Sequence, residues 1–231
     1  MRILAVDSSA KACSAAIVDD EKVIGSFFIN TALTHSQTLV PMIDAVLKST
    51  NTDINTIDAF AVSAGPGSFT GVRIGVAAVK GMAMPLGKPC ISCSTLESMA
   101  YNLTGSNCVV CAVMDARCQQ VYNALFRING GKVSRLCDDR ALSIDDLFEE
   151  LKSYNKKIVL VGDGAQLCYN SYKELSGNIE LAPEQQRYQN AVGVAFSAKN
   201  KELITASELL PTYLRLPQAE RELKKIMENR K

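Results

Sequence analysis

The hydrophobic pattern of the first hundred residues predicts five strands and two amphipathic helices. Short apolar runs separated by polar turns are typical of strands. These runs cover residues 2–7, 13–18, 23–29, 58–63 and 89–93. Residues 37–49 instead repeat with the 3.6-residue period of a helix, through Leu39, Met42, Ile43, Val46 and Leu47. A second helix is predicted at residues 69–85.

The rest of the chain repeats this order, which predicts a duplicated α/β fold. Strands are predicted at residues 108–114, 120–128, 132–136 and 157–161, and helices at 94–102, 144–153, 165–175 and 191–201. Two successive βββαβα units indicate two similar lobes, each a mixed sheet covered by helices. We expect the lobes at residues 1–102 and 103–210, followed by a partly helical tail at 211–231. The cleft between them is the natural ligand site.

Composition and charge narrow the class of protein. Hydrophobic residues make up 47% of the 231 residues, charged residues 21%, and the formal net charge is +1. A protein that binds nucleic acid alone normally carries a basic surface, so any RNA is expected to be held mainly by a partner. Met1-Arg2 runs straight into the strand-like residues 3–6 without the pattern of a secretory signal, and no apolar stretch reaches the ~20 residues of a membrane span. We therefore expect a cytoplasmic protein.

Two C-x-x-C pairs, Cys90/Cys93 and Cys108/Cys111, have roughly the spacing of a four-cysteine zinc site. However, residues 108–114 read as a buried strand, in which alternate side chains point to opposite faces. Buried free thiols are therefore the preferred interpretation.

Three glycine- or serine-containing turns are candidate phosphate sites. Asp7, Ser8 and Ser9 end the first strand, where an aspartate, hydroxyl groups and backbone N–H groups can hold a metal and phosphate. Lys11 follows, but the glycine common in phosphate loops is absent, and a simple polar turn is the alternative. The loop Gly65-Pro66-Gly67-Ser68 precedes a helix whose N-terminus favours anions. Gly162 and Gly164 stand at another strand-to-helix turn. For both glycine loops, close packing is the alternative.

Several motifs together resemble the TsaB (YeaZ) family over nearly the whole chain. These motifs are Ile3-Leu4-Ala5-Val6-Asp7-Ser8-Ser9, Thr34-His35-Ser36-Gln37, Gly65-Pro66-Gly67-Ser68-Phe69-Thr70-Gly71-Val72-Arg73, Ser94-Thr95-Leu96-Glu97, Asp115-Ala116-Arg117 and Pro211-Thr212-Tyr213-Leu214-Arg215.

The resemblance implies the duplicated, ribonuclease-H-like fold of actin, sugar kinases and Hsp70 (the ASKHA fold). It also implies a role beside the catalytic paralogue TsaD and the ATPase TsaE. Together these transfer threonylcarbamoyl from its adenylate to N6 of adenosine 37 in tRNAs reading codons that begin with A. ATP, ADP and metal are then expected to belong to the partners, and tRNA to be reached only through the complex.

The catalytic paralogues carry two metal-binding histidines four residues apart. Here His35 is the only histidine, and Leu39 stands at the second position. A two-histidine site is therefore impossible within this chain, and we predict no catalytic or metal-ligating residue. His35 is expected at the entrance of the first helix, as part of its cap.

The helix after the Gly-Pro-Gly loop is rich in small residues, which predicts close approach of another helix or packing within the lobe. We expect it to form, with the first helix, a face for TsaD or for a second copy of this chain. The candidate interface residues are Leu39, Met42, Val46, Gly71, Gly75 and Ala78. The rival hypotheses are an ATP-dependent phosphotransferase using Asp7, a metallopeptidase and a zinc module.

Overall fold

The computed structural model describes residues 1–172 and 177–215 and contains two β-sheets with helices on their faces. The strands are β1 (Arg2–Asp7), β2 (Cys13–Asp19), β3 (Lys22–Ile29), β4 (Ala59–Gly65), β5 (Cys90–Ser94), β6 (Cys108–Asp115), β7 (Gln120–Asn129), β8 (Lys132–Arg135), β9 (Arg140–Ser143), β10 (Ile158–Val161) and β11 (Ile179–Leu181). The helices are α1 (His35–Ser49), α2 (Phe69–Leu86), α3 (Thr95–Ala100), α4 (Ile144–Leu151), α5 (Ala165–Tyr172), α6 (Glu184–Arg187) and α7 (Ala191–Ala198).

The predicted elements are confirmed to within a few residues, with three additions. β9, β11 and α6 were not expected, since each spans only three or four residues and so has no readable period. The last residues of the predicted helix 165–175, and the predicted helical end of the tail, lie outside the described residues.

The two sheets share one strand order, which confirms the duplication. The first sheet runs β3-β2-β1-β4-β5 and the second β8-β7-β6-β10-β11, with β9 also paired to β7. In each, the central strand is antiparallel to its hairpin partner and parallel to the strand on its other side. We call the parts built on these sheets the first and second lobes.

Two helices lie between the sheets, and each covers the sheet of the opposite half of the sequence. α3 follows the first sheet in the chain, yet Leu96 and Met99 pack on β6 and β7 of the second. α7 follows the second sheet, yet Val194 and Ala195 pack on β1, β4 and β5 of the first. The two helices also touch, since the Ser98 and Ser197 hydroxyl oxygens are 3.0 Å apart. The layers are therefore α1/α2, first sheet, α3/α7, second sheet and α4/α5.

This arrangement differs from the predicted division at residues 102 and 210. α3 belongs by packing to the second lobe, while α7 and the segment around Leu209 belong to the first, where Leu209 is fully buried beside α2. Apolar periodicity shows that a helix has a buried face but not which sheet covers it. No described helix is long and apolar enough to span a membrane.

Candidate functional site: the cleft between the lobes

A cleft of about 690 Å³ lies between the turns at the carboxyl ends of the central strands. In open α/β sheets this is the usual place for ligands. One wall comes from the β1–β2 turn and the N-terminus of α2, and the other from the β6–β7 turn and Asp163 after β10. The structure thus brings the first-lobe and second-lobe turn motifs together.

The side chains of Asp7, Ser8 and Ser9 at the β1–β2 turn are buried and hydrogen-bonded within the first lobe, and we call this turn closed. Asp7, Ser8 and Ser9 are each at most 1% exposed. One Asp7 carboxylate oxygen accepts hydrogen bonds from the Ser9 amide (2.9 Å) and hydroxyl (2.7 Å), and the other accepts from the Ser63 hydroxyl (2.5 Å). The Ser8 hydroxyl donates to the Gly71 carbonyl at 2.8 Å. The Asp7 carboxylate and the Ser8 and Ser9 hydroxyls are therefore engaged in hydrogen bonds within the chain.

Burial raises the pKa of Asp7 above its ordinary value, and the hydrogen bonds from Ser63 and Ser9 partly oppose that rise. The carboxyl group, which is buried and accepts three hydrogen bonds, is an acceptor within the lobe.

The Gly-Pro-Gly loop packs closely on neighbouring backbone. Gly65 has φ of 129°, and a Cβ there would collide with the carbonyl oxygen of Thr212. A Cβ at Gly67 would collide with the carbonyl oxygen of Ser9, which accepts a 2.7 Å bond from the Ser68 amide. The packing alternative therefore explains both glycines, and their role in phosphate binding remains a prediction. Ser68 caps α2, its hydroxyl accepting from the Gly71 amide at 3.3 Å.

The glycines of the second lobe are explained in the same way. Gly162 has φ of 105°, and a side chain there would strike the Val113 carbonyl oxygen. A Cβ at Gly164 would lie 3.0 Å from the Asp115 amide nitrogen. Asp163, between them, faces the cleft and accepts a 2.8 Å hydrogen bond from the Gln189 side-chain amide.

The carboxyl group of Asp163 has a raised pKa. Loss of surrounding water raises its pKa to about 6, and the nearby charges of Asp115 and Asp7 act in the same direction. The side chain still reaches solvent through the cleft. Near neutral pH it therefore changes its charge more readily than an ordinary aspartate.

The C-terminal part of the described chain crosses the first lobe beside the cleft, although residues 211–231 were predicted as a tail. The Thr212 amide donates to the Ala64 carbonyl at 2.7 Å. The ring of Tyr213 stacks on Phe69 with centroids 4.1 Å apart, and its hydroxyl accepts from the Arg73 Nε at 2.7 Å. Arg215 donates to the Ala116 carbonyl of the second lobe at 2.9 Å. The Pro211–Arg215 motif was visible in the sequence, but its contacts were not.

His35 does not cap α1. Thr34 is the N-cap residue and makes no side-chain cap bond. The His35 Nε2 instead lies 2.6 Å from the Ala10 carbonyl oxygen, so this nitrogen carries the proton and donates. The histidine thus ties α1 to the β1–β2 turn, which corrects the expected capping role.

Most of the predicted interface residues lie inside the first lobe. α1 and α2 do pack together on one face of the first sheet. However, Leu39, Met42 and Val46 are buried against that sheet, and a Cβ at Gly75 would lie 2.6 Å from the Ser8 hydroxyl oxygen. Gly71 likewise approaches the Ser8 carbonyl, so the small residues serve packing within the lobe.

The outer face of the two helices is formed by other side chains. Ala78 is the one predicted interface residue that is not buried. Val40 on α1 and Met84 on α2 are 60% and 62% exposed, and Ala77 is also exposed.

The C-x-x-C cysteines are buried free thiols in strands β5 and β6. Cys90 and Cys93 belong to the apolar layers on opposite faces of the first sheet, and Cys108 and Cys111 to those of the second. Burial raises the pKa of the Cys93 thiol to about 11. Neither pair can direct both sulfur atoms at one metal, because three-residue spacing in a strand separates them across the sheet.

Comparisons with known proteins agree with the motifs. Residues 29–223 match the family of TsaD, tRNA N6-adenosine threonylcarbamoyltransferase. The tRNA threonylcarbamoyladenosine biosynthesis protein TsaB of Escherichia coli is 35% identical over 75% of this chain and 76% of its own length. TsaB of Haemophilus influenzae is 31% identical over 93% of this chain and 94% of its own length.

A solved structure shows the same fold. YeaZ from Pseudomonas aeruginosa superposes with a TM-score of 0.78 at 26% identity, covering 92% of this chain and 99% of that chain. The two-lobed structure described above is accordingly of the ASKHA type. By sequence and by fold, the chain belongs to the TsaB family and takes part in the biosynthesis of threonylcarbamoyladenosine in tRNA.

Proposed function

We propose that this chain is a non-catalytic subunit that binds and orders a catalytic TsaD paralogue. With TsaD and the ATPase TsaE, it supports transfer of threonylcarbamoyl from the adenylate to N6 of adenosine 37 in tRNA. The observation that carries the proposal is the closed β1–β2 turn, in which the Asp7 carboxylate and the Ser8 and Ser9 hydroxyls are engaged inside the lobe. A phosphotransferase needs such groups open to its substrate.

The outer face of α1 and α2 is the proposed contact with TsaD. It exposes the apolar side chains of Val40 on α1 and of Ala77 and Met84 on α2, which a partner surface would remove from water. In a duplicated family, the same face can pair with the equivalent helices of the paralogue or with a second copy of this chain.

Co-elution with TsaD, and stimulation of TsaD activity with TsaE present, test the proposal. Ala77→Glu places a charge on the exposed outer face and should abolish both, because burying an unpaired charge in an interface costs several kcal/mol. Ala141→Glu, an equal change at an exposed position on β9, should leave both intact. Gly75→Arg, by contrast, should unfold the lobe, because the side chain would point at Ser8.

Two results would overturn the proposal. One is that the wild-type chain neither co-elutes with TsaD nor raises its activity. The other is ATP turnover by the chain alone that disappears in Asp7→Asn, a variant that keeps the shape of the side chain. If instead Ala77→Glu remains folded and still pairs at wild-type affinity, only the chosen face is wrong.

A further inference from the structure

Three basic side chains from distant parts of the sequence lie at the solvent-exposed opening of the cleft, which we call the cleft mouth. Lys11 lies in the β1–β2 turn, Arg73 in the second turn of α2 and Arg117 in the β6–β7 turn, and all three are exposed and line the cleft. Within the part of the chain that the structure describes, none of them forms an ion pair. Arg2, Arg135, Arg140 and Arg187, in contrast, each contact a carboxylate.

Arg73 is also held in place. Its Nε donates to the Tyr213 hydroxyl at 2.7 Å, and its guanidinium lies 5.3 Å from the Phe69 ring centroid and 5.6 Å from that of Tyr213. These contacts restrict the side chain but neutralise none of its charge. A guanidinium that is fixed in position and has no ion-pair partner is suited to binding a phosphate group, because the phosphate oxygens can accept hydrogen bonds from its remaining N–H groups.

The negative charges of the cleft lie on the second-lobe wall. Asp163 and Asp115, which ends β6, are both exposed and line this wall. A polyphosphate that entered the cleft would meet these carboxylates. The Ser8 and Ser9 hydroxyls could not donate hydrogen bonds to it, because they already donate to the Gly71 carbonyl and the Asp7 carboxylate. Phosphates are therefore better accommodated across the exposed mouth than inside the cleft.

We propose that the mouth of this cleft is a contact surface for the phosphodiester backbone of RNA, with Lys11, Arg73 and Arg117 as its counter-charges. The inference rests on the proposed function, in which tRNA is the substrate of the complex. Phosphate contacts of this kind add affinity and orientation without reading sequence. Such contacts would let a chain of net charge +1 contribute to RNA binding, because three of its basic side chains line one cleft.

The test measures binding of a tRNA transcript to the complex of this chain with TsaD, over salt concentrations from about 50 to 300 mM. The variant is Lys11→Gln/Arg117→Gln, two exposed side chains for which the structure records no hydrogen bond or ion pair among the described residues. The slope of log K against log salt should become shallower by about 1.5, since each phosphate contact contributes ~0.7 to 0.9.

The chain offers a matched control. Lys22→Gln/Arg127→Gln removes the same charges from exposed positions in β3 and β7, near the strand ends remote from the cleft. It should leave the slope at its wild-type value. Lys11→Arg/Arg117→Lys, which keeps both charges, should also retain that slope.

Equal slopes for the two Gln variants would overturn the inference while leaving the proposed function intact. Loss of ATP binding in the cleft variant, with tRNA binding unchanged, would also overturn it and assign the cleft to a nucleotide. If the wild-type chain does not assemble with TsaD, the proposed function fails, and the same titrations on the chain alone decide the inference.

Discussion

The two lobes have the same strand order but use the turn after their central strand differently. Asp7 ends β1 and Asp115 ends β6, so the two aspartates occupy equivalent places. Asp7 is 1% exposed and accepts three hydrogen bonds from within its lobe. Asp115 is exposed at the cleft and accepts from the Arg117 amide at 2.7 Å.

The difference shows that a repeated backbone does not preserve a site. In the first lobe, Ser9 and Ser63 surround the carboxylate and convert the turn into part of the core. In the second lobe the turn stays open, with left-handed backbone at residues 117–119, and presents Arg117 to solvent. The shared strand order determines how each lobe packs, whereas the side chains of the turn determine whether it can hold a ligand.

The largest expected effect tests what the lobes share. Gly65→Ala and Gly162→Ala should each lower the free energy of unfolding by at least about 3 kcal/mol, because an unfavourable φ alone costs ~1–3 kcal/mol and the new Cβ strikes a carbonyl oxygen. Gly131→Ala, with φ of 78° and open space around it, should cost only about 1–2 kcal/mol. Urea unfolding measures all three. A small effect at only one of the two lobe glycines would show that the equivalence is incomplete.

A comparison of Asp7→Ala with Asp115→Ala tests the difference between the two lobes, because only Asp7 is expected to contribute to stability. Removing the Asp7 carboxylate leaves the Ser9 amide and two serine hydroxyls buried without their acceptor, so we expect a loss of about 2 kcal/mol or more. Asp115→Ala, at an exposed position, should change stability by no more than about 0.5 kcal/mol. Equal losses in urea unfolding would contradict the assignment of Asp7 as the structural member of the pair.

The smallest expected effect is a pH dependence. Because the pKa of Asp7 is raised on folding, its contribution to stability is complete below the ordinary aspartate pKa and declines as pH rises through the folded value. Asp7→Asn removes this decline. The unfolding free energy of the variant relative to wild type should therefore rise as pH increases from the ordinary aspartate pKa into the range of the raised pKa of folded Asp7. A constant difference across that range would show that Asp7 is not desolvated.

Much of the fold followed from the sequence because strand and helix periods are local. The apolar stripe of residues 39–47 predicted α1, and the glycine-rich run at 65–71 predicted the β4–α2 loop. The motifs identified the TsaB family before any contact was known. Short elements such as β9 and β11 could not be predicted, because three or four residues do not establish a hydrophobic period.

Three features were decided only by the tertiary structure. The crossing of α3 and α7 depends on which sheet offers a complementary surface, and a helix pattern does not encode that choice. The closure of the Asp7 turn depends on Ser63, 56 positions away in the chain. The basic mouth of the cleft depends on bringing residues 11, 73 and 117 together. Sequence alone determined which groups the chain carries, and only folding determined which of them face each other, because these contacts join residues far apart in the chain.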